Sequence, residues 1–284
     1  MKIKKACILI TAFFLFLIVL SALFTFFQRQ ISFAGKVAVV RIEGPIIESK
    51  SIVDEIDGYS KDNSIKALVL RVNSPGGGVV PSQEIYDSVK RLAAKKKVVV
   101  SMGSLAASGG YYISAPATKI IANPGTITGS IGVIMEVPNV KGLMDKIGVT
   151  TEVIKSGKHK DLASPFRGIG KEEREILQGV MDDVHAQFIA AVAEGRKMPV
   201  DRVREIADGR IFSGRQAIKA GLVDELGDLD YSIKAAARMA GIKGEPEIIT
   251  KKEKNRFLDL LSGRIEESVS KILPSPELKY VYAP

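Results

Sequence analysis

One stretch limits what this chain can fold into: VVVSMGSLAASGGYYISAPA, residues 98–117. Its β-branched start, Val98 to Val100, reads as a strand buried on both faces, because a run without polar alternation leaves no side for water. The run then breaks into Ser101, Gly103, Ser104, Ala106, Ala107, Ser108, Gly109 and Gly110. Residues this small let backbones approach closely, and let a helix begin tight against a sheet with its free N–H groups in a cleft. A serine at that point has its Oγ beside backbone donors, where a nucleophile is useful.

The surrounding pattern extends this into an α/β architecture. Residues 36–42 and 67–72 are further continuous apolar strands, and residues 51–59 and 82–94 carry helical spacing. Strands followed in turn by helical pattern imply a mostly parallel sheet with helices packed on its faces. Sites in such sheets lie beyond the C-terminal ends of strands. Both NSPGGG (residues 73–78) and the small-residue loop of residues 101–110 fall there.

Downstream, the pattern predicts a short strand over 119–122, a turn-rich NPGTITGSIGV over 123–133 and a helix over 139–147. A strand over 150–154 delivers KSGKHKD, residues 155–161. Residues 171–193 form the longest amphipathic helix, and residues 221–227 a strand and turn before a helix over 230–240. The resulting division is 1–35 for a stub, anchor and linker, 36–244 for the core domain, and 245–284 for an appendage. That appendage reads as an amphipathic helix over 253–272 and an extended tail over 274–284.

Residues 6–27 are a run of 22 without charge. At about 1.5 Å per residue such a helix spans the hydrocarbon core of a bilayer, about 30 Å thick. Lys2, Lys4 and Lys5 precede it, which keeps the N-terminus cytoplasmic and sends the remainder across the membrane. No small-x-small cleavage site follows it, so the run reads as an uncleaved single-pass anchor with the core domain outside the cytoplasm. The formal charge of +9 comes from 41 basic and 32 acidic residues. Setting aside Lys2, Lys4, Lys5 and Arg29 leaves 37 against 32, or +5, which gives no case for nucleic acid. Cys7 is the only cysteine, and His159 and His185 are the only histidines. No disulfide framework, cysteine metal cage or multi-histidine zinc centre is available, and no metal or cofactor is expected.

Ser108, with two glycines behind it, is the nucleophile candidate, although small serines also fill gaps in helix packing. A serine needs a group to take its proton. His185 sits in mid-helix, and His159 lies between Lys158 and Lys160. A lysine held neutral by burial is the other kind of base, and Lys155, Lys158 and Lys160 are all candidates. In NSPGGG, Pro75 stiffens the turn while Gly76, Gly77 and Gly78 present unhindered N–H groups, which suits an oxyanion site.

In this order, NSPGGG, SMGSLAASGGYY, NPGTITGSIGV and SGKHKD resemble the signal peptide peptidase A family of serine proteases, within the ClpP/crotonase superfamily. The resemblance runs from the N-terminal anchor to about Gly244. It implies a ClpP/crotonase-like repeated β-β-α/βα sheet, Ser108 as nucleophile, Lys160 as general base and Ser130 as the residue that orients Lys160. It also implies Gly76 and the Ser108 N–H as oxyanion donors, with Gly77 beside them. The implied activity is a membrane-anchored endopeptidase that cuts apolar peptides and signal peptide remnants, working as a ring-like homo-oligomer. Three other readings are a membrane-protein protease of narrower specificity, a non-catalytic peptide-binding scaffold, and a crotonase-type acyl-CoA enzyme. The last would have poor access to CoA from outside the cytoplasm.

Overall fold

The computed structural model describes residues 13–23, 35–251 and 279–281. Of the apolar run 6–27, only residues 13–23 (α1) are described; they are helical and exposed. Among the described residues no helix is long and apolar enough to cross a membrane. The remainder of that expected span, and the helix expected over 253–272, lie outside the described residues.

In chain order the next elements are β1 (Lys36–Glu43), α2 (Lys50–Lys61), β2 (Ile65–Ser74), β3 (Gly76–Gly78), α3 (Val79–Ala93), β4 (Lys97–Ala107) and α4 (Gly109–Tyr112). Then come β5 (Lys119–Ala122), β6 (Ile127–Gly129), α5 (Lys141–Lys146), α6 (Lys171–Arg196), α7 (Val200–Arg204), β7 (Ile211–Ser213) and α8 (Gly214–Lys219). The described chain ends with β8 (Glu225–Leu226), α9 (Leu229–Met239), β9 (Glu247–Thr250) and β10 (Lys279–Val281).

The main sheet runs β7-β6-β4-β2-β1-β9, with β5 and β8 continuing from β4. All of its pairings are parallel except β6 with β7. The continuous apolar runs are buried on both faces, as their lack of alternation requires. Ala38, Val40, Leu68, Leu70, Val98 and Val100 pack on one side, against α2, α3, α4 and α6. Val37, Val39, Ala67, Val69 and Val99 pack on the other, against Ile233, Ala236 and Ala237 of α9. Aromatic rings join the helical layer, with Tyr112 4.9 Å from both Tyr86 and Phe188 between ring centroids.

Three expectations change. The small-residue string is not a loop from Ser101 onward, since β4 runs through it to Ala107. Residues 150–154 form no strand and are exposed, Ile154 fully so at 97%. Their β-branched composition is not enough without a neighbouring strand to supply hydrogen bonds. The sheet also continues past Gly244, because β9 pairs in parallel with β1 through Lys36↔Glu247 to Val39↔Thr250.

Candidate active site

Ser108 sits where β4 ends and α4 begins, with φ 53° and ψ −117°. A non-glycine residue held there costs about 1–3 kcal/mol and persists only where its surroundings impose it. Those surroundings are tight. Ser108 is 1% exposed, its N–H donates to the Gly129 carbonyl at 2.8 Å, and its own carbonyl accepts from Tyr111 and Tyr112. Its Oγ is buried with no hydrogen-bond partner. A buried hydroxyl without a partner is disfavoured, so both the backbone and the side chain of Ser108 are held in states that stability alone does not select.

The glycine segment lies against this turn. Ser74 pairs with Ala106, and a Cβ on Gly110 would stand 2.7 Å from the Ser74 carbonyl oxygen. Gly76 adopts φ +93° and donates its N–H to Ser74 Oγ at 3.1 Å. Gly77 crosses Ile46 so closely that an added Cβ would lie 2.0 Å from the Ile46 carbonyl oxygen, which leaves room only for glycine. The Ile46 N–H donates to Gly76 O and the Gly78 N–H to Ile46 O, both at 2.8 Å. By strand alternation the Gly77 amide faces the opposite edge. There β10 runs antiparallel to β3, with Tyr280 opposite Gly77 and Val281 opposite Gly76.

Two of the expected oxyanion donors are already engaged. The Ser108 N–H is spent on Gly129 and the Gly76 N–H on Ser74. The Gly109 N–H opens α4 without a hydrogen-bond partner among the described residues, and the Gly77 N–H faces the edge of β3 on which β10 lies. A signal for Gly109 was present in the sequence, since the amide after a serine at a helix start is an orphan donor.

The second expected serine, Ser130, is 8% exposed and also has a positive φ, 51°, with its N–H donated to Arg210 O at 2.8 Å. The three candidate lysines differ in their surroundings. The Lys155 amine pairs with Asp161 and with the Lys158 carbonyl, and the Lys158 amine pairs with Glu172. Lys160 is exposed, and its amine has no ion pair among the described residues. Within the chain Lys160 makes no hydrogen bond to Ser108, whose Oγ has no partner. For the same reason neither histidine bonds it. His159 Nε2 stands 3.4 Å from Glu172 instead, while His159 Nδ1 and His185 Nε2 are buried without partners.

The Lys160 loop is fastened to the start of α6 through Arg167. Its guanidinium bonds Asp161 Oδ2 at 2.8 Å and Glu173 at 2.5 and 2.7 Å, and Glu173 also accepts the Gly170 N–H at 2.9 Å. These donors hold the Glu173 carboxyl down at about 2, and Asp161 well below the usual carboxylate range, in both cases through Arg167 first. Beside this loop, a groove of about 440 Å³ of mixed character separates residues 133–137 from Arg174, Leu177, Gln178 and Met181 on α6. Among the described residues no cluster of His, Cys, Asp or Glu could hold a metal.

The family model described as Peptidase family S49 matches residues 90–243, and the one described as Clp protease matches residues 31–127. A Synechocystis sp. protein named as a protease candidate is 46% identical over 209 residues, covering 73% of this chain and 75% of that protein. An Enterococcus faecium protein named as a candidate signal peptide peptidase SppA is 42% identical over 182 residues, with 63% and 52% covered. Protease 4 of Salmonella typhi is 33% identical over 264 residues, covering 85% of this chain but 42% of that longer protein.

Proposed function

Because the chain belongs to peptidase family S49, the signal peptide peptidase A family of serine proteases within the ClpP-like superfamily, we propose that it is a membrane-anchored endopeptidase using Ser108 as nucleophile and Lys160 as general base. The observation that carries this reading is the state of Ser108: strained, buried and without a partner, at a strand-to-helix turn against the glycine strand. Turns of this kind aim a hydroxyl at a substrate.

In the proposed reaction, the neutral Lys160 amine takes the Ser108 proton as Oγ attacks a peptide carbonyl. The Ser130 hydroxyl orients that amine. The Gly77 and Gly109 N–H groups hold the tetrahedral oxyanion, a contribution of about 3–4 kcal/mol per donor in such sites. Lys160 then protonates the departing amine, and water cleaves the acyl-enzyme. An exposed ammonium does not work as a base near neutral pH; it must be desolvated. A second copy of the chain, packed on that groove and the exposed residues 143–154, supplies that cover in a ring-like homo-oligomer. The exposure of Leu143, Ile147 and Ile154 supports this assembly.

Residues 6–27 are proposed to anchor the chain in the lipid bilayer of the cell membrane, with the N-terminus cytoplasmic and the peptidase domain outside. Twenty-two uncharged residues behind three lysines support this. Anchoring concentrates the enzyme where apolar peptides and signal peptide remnants accumulate, and the name of the Enterococcus relative points to the same substrates. No cofactor enters the scheme. Bound peptides are proposed to add as a strand to β3, the mode in which backbone bonds supply affinity. Support comes from β10, which already lies on β3 in this way. Deleting residues 274–284 is therefore expected to lower KM for a short apolar peptide severalfold at constant kcat; an unchanged KM would remove the tail from the substrate's place on β3.

Peptidase activity is expected to rise with pH through the neutral and alkaline range as the base loses its proton. The Arg167 cluster does not confuse this test. Its carboxylates have depressed pKa values, so their stabilising contribution is full above the ordinary carboxylate pKa, about 4. It is lost only as pH falls toward about 2, where Glu173 titrates. A pH–rate profile that stays flat from neutral to alkaline would count against a lysine base.

A further inference from the structure

The path of β4 into Ser108 contains a widening that β2 holds open. The two strands stay in register to Val72↔Met102 and resume at Ser74↔Ala106, so one residue of β2 spans three of β4. Along the same stretch β4 changes its other neighbour, from β5 at residues 99–101 to β6 at residues 105–107. Extra residues in one strand break the ladder and leave backbone groups that need other partners. Four side chains take up that work. Arg71 Nη1 donates to the Met102 carbonyl at 3.0 Å and to Ser101 Oγ at 3.1 Å. The Leu105 N–H donates to Asn73 Oδ1 at 3.2 Å, Thr126 Oγ1 to Gly103 O at 2.7 Å, and Thr128 Oγ1 to Ala106 O at 2.6 Å.

Arg71 is costly in this position. It is half-buried and bonds a carbonyl and a hydroxyl, with no carboxylate at ion-pair distance among the described residues. Desolvating a guanidinium for neutral acceptors is poor value for stability. Asn73 packs against the widening so closely that a Cβ on Gly103 would stand 2.9 Å from its Oδ1. Both residues lie among the last four of β2, which ends at Ser74, whose Oγ receives the Gly76 N–H. One strand thus grips the nucleophile's approach on one side and leads into the glycine strand on the other.

We propose that Arg71 and Asn73 are positioning residues for acylation: by fastening the widened segment at Met102 and Leu105, they set Ser108 against the glycines of β3. This rests on the reading of Ser108 as the nucleophile. Their effect belongs in kcat and in the rate at which Ser108 is acylated, since neither residue is placed in contact with substrate.

The test uses the full chain, with a fluorophosphonate probe for Ser108 labelling and an apolar peptide for kcat and KM. Arg71→Met and Asn73→Ala are each expected to lower kcat and the labelling rate about 10- to 100-fold, the scale of a small misplacement at a reacting centre, with KM little changed. Asn73→Asp keeps an acceptor for the Leu105 N–H, and Arg71→Lys keeps a donor for the Met102 carbonyl. Both are expected to recover most of the loss, and the Arg71→Met/Asn73→Ala double variant should lose less than the product of the single losses. Variants that melt earlier but keep wild-type kcat and labelling in the folded fraction would overturn the proposal, as would a change confined to KM. If Arg71→Met does not fold, the exposed Asn73 pair decides alone. Wild-type chain labelled at Ser108 alongside unaffected variants sinks only this proposal, whereas an unlabelled and inactive wild type sinks the nucleophile reading and this one with it.

Discussion

Ser108→Ala abolishes peptide hydrolysis on this account and leaves the chain at least as stable as before. Loss of the nucleophile in a serine protease costs about 10⁶-fold in kcat, leaving only what binding and oxyanion donors provide. The stability half of the prediction comes from the geometry. Ser108 Oγ bonds nothing, so its removal breaks no hydrogen bond and takes away a buried hydroxyl without a partner. Relief of that kind is worth about 1–3 kcal/mol when a polar group is buried unsatisfied. Alanine inherits the same φ of 53°, so the strain is unchanged. Thermal melting and peptidase assays on one preparation check both halves together. Retained hydrolysis would remove Ser108 from the chemistry, and a large fall in melting temperature would show that its hydroxyl has a structural partner.

Lys160→Ala is expected to cost about 10²- to 10⁴-fold in kcat, the contribution typical of a positioned general base. Its effect on melting of the single chain should be negligible. Lys160 is exposed and without an ion pair among the described residues, so little is lost with it. Lys155→Ala and Lys158→Ala remove amines already committed to Asp161 and Glu172, and should leave most activity in place. His159→Ala and His185→Ala should do the same. Because Ser108 Oγ has no partner within the single chain, a lysine supplied by the neighbouring copy predicts that Ser108→Ala and Lys160→Ala chains assembled together recover part of the activity that each lacks. The mixed assembly contains sites with an intact serine from one copy and an intact lysine from the next. No recovery in a verified mixed assembly would mean that the pair forms within one chain on substrate binding.

Much of the fold was legible in the sequence where burial on both faces leaves a continuous signature. β1, β2 and β4 follow from their unbroken Val, Ile, Leu and Ala runs, and α2, α3 and α6 from their helical spacing. The placing of NSPGGG and Ser108 at strand ends followed from the same pattern. What was not legible depends on partners distant in sequence. The small residues after Val100 lack the bulk that marks a strand, yet β6 and the side chains of β2 keep them extended. Residues 150–154 carry a strand's composition without a neighbour to pair with. β9 is short and has half-exposed residues such as Ile248, so only its pairing with β1 identifies it.

At the site, sequence motifs singled out Ser108 and the glycine strand; of the three lysines, Lys155 and Lys158 are ion-paired and Lys160 has no ion pair among the described residues. The donor assignment could not be read in the same way. Whether an amide is available depends on which carbonyl or hydroxyl it already serves, and Gly129 O and Ser74 Oγ settle that for Ser108 and Gly76. The role of Arg71 was equally silent, since an arginine in a strand names no target until the facing strand is known to widen.

Trapping the acyl-enzyme tests the central claim most directly. The full chain is incubated with an acylating probe at several pH values, and the adduct is mapped by mass spectrometry beside the Lys160→Ala variant. The account predicts one label, on Ser108, that strengthens as pH rises and is nearly absent from Lys160→Ala. An assembled, folded chain that takes no label on Ser108, or a Lys160→Ala variant labelled at the wild-type rate, would contradict it.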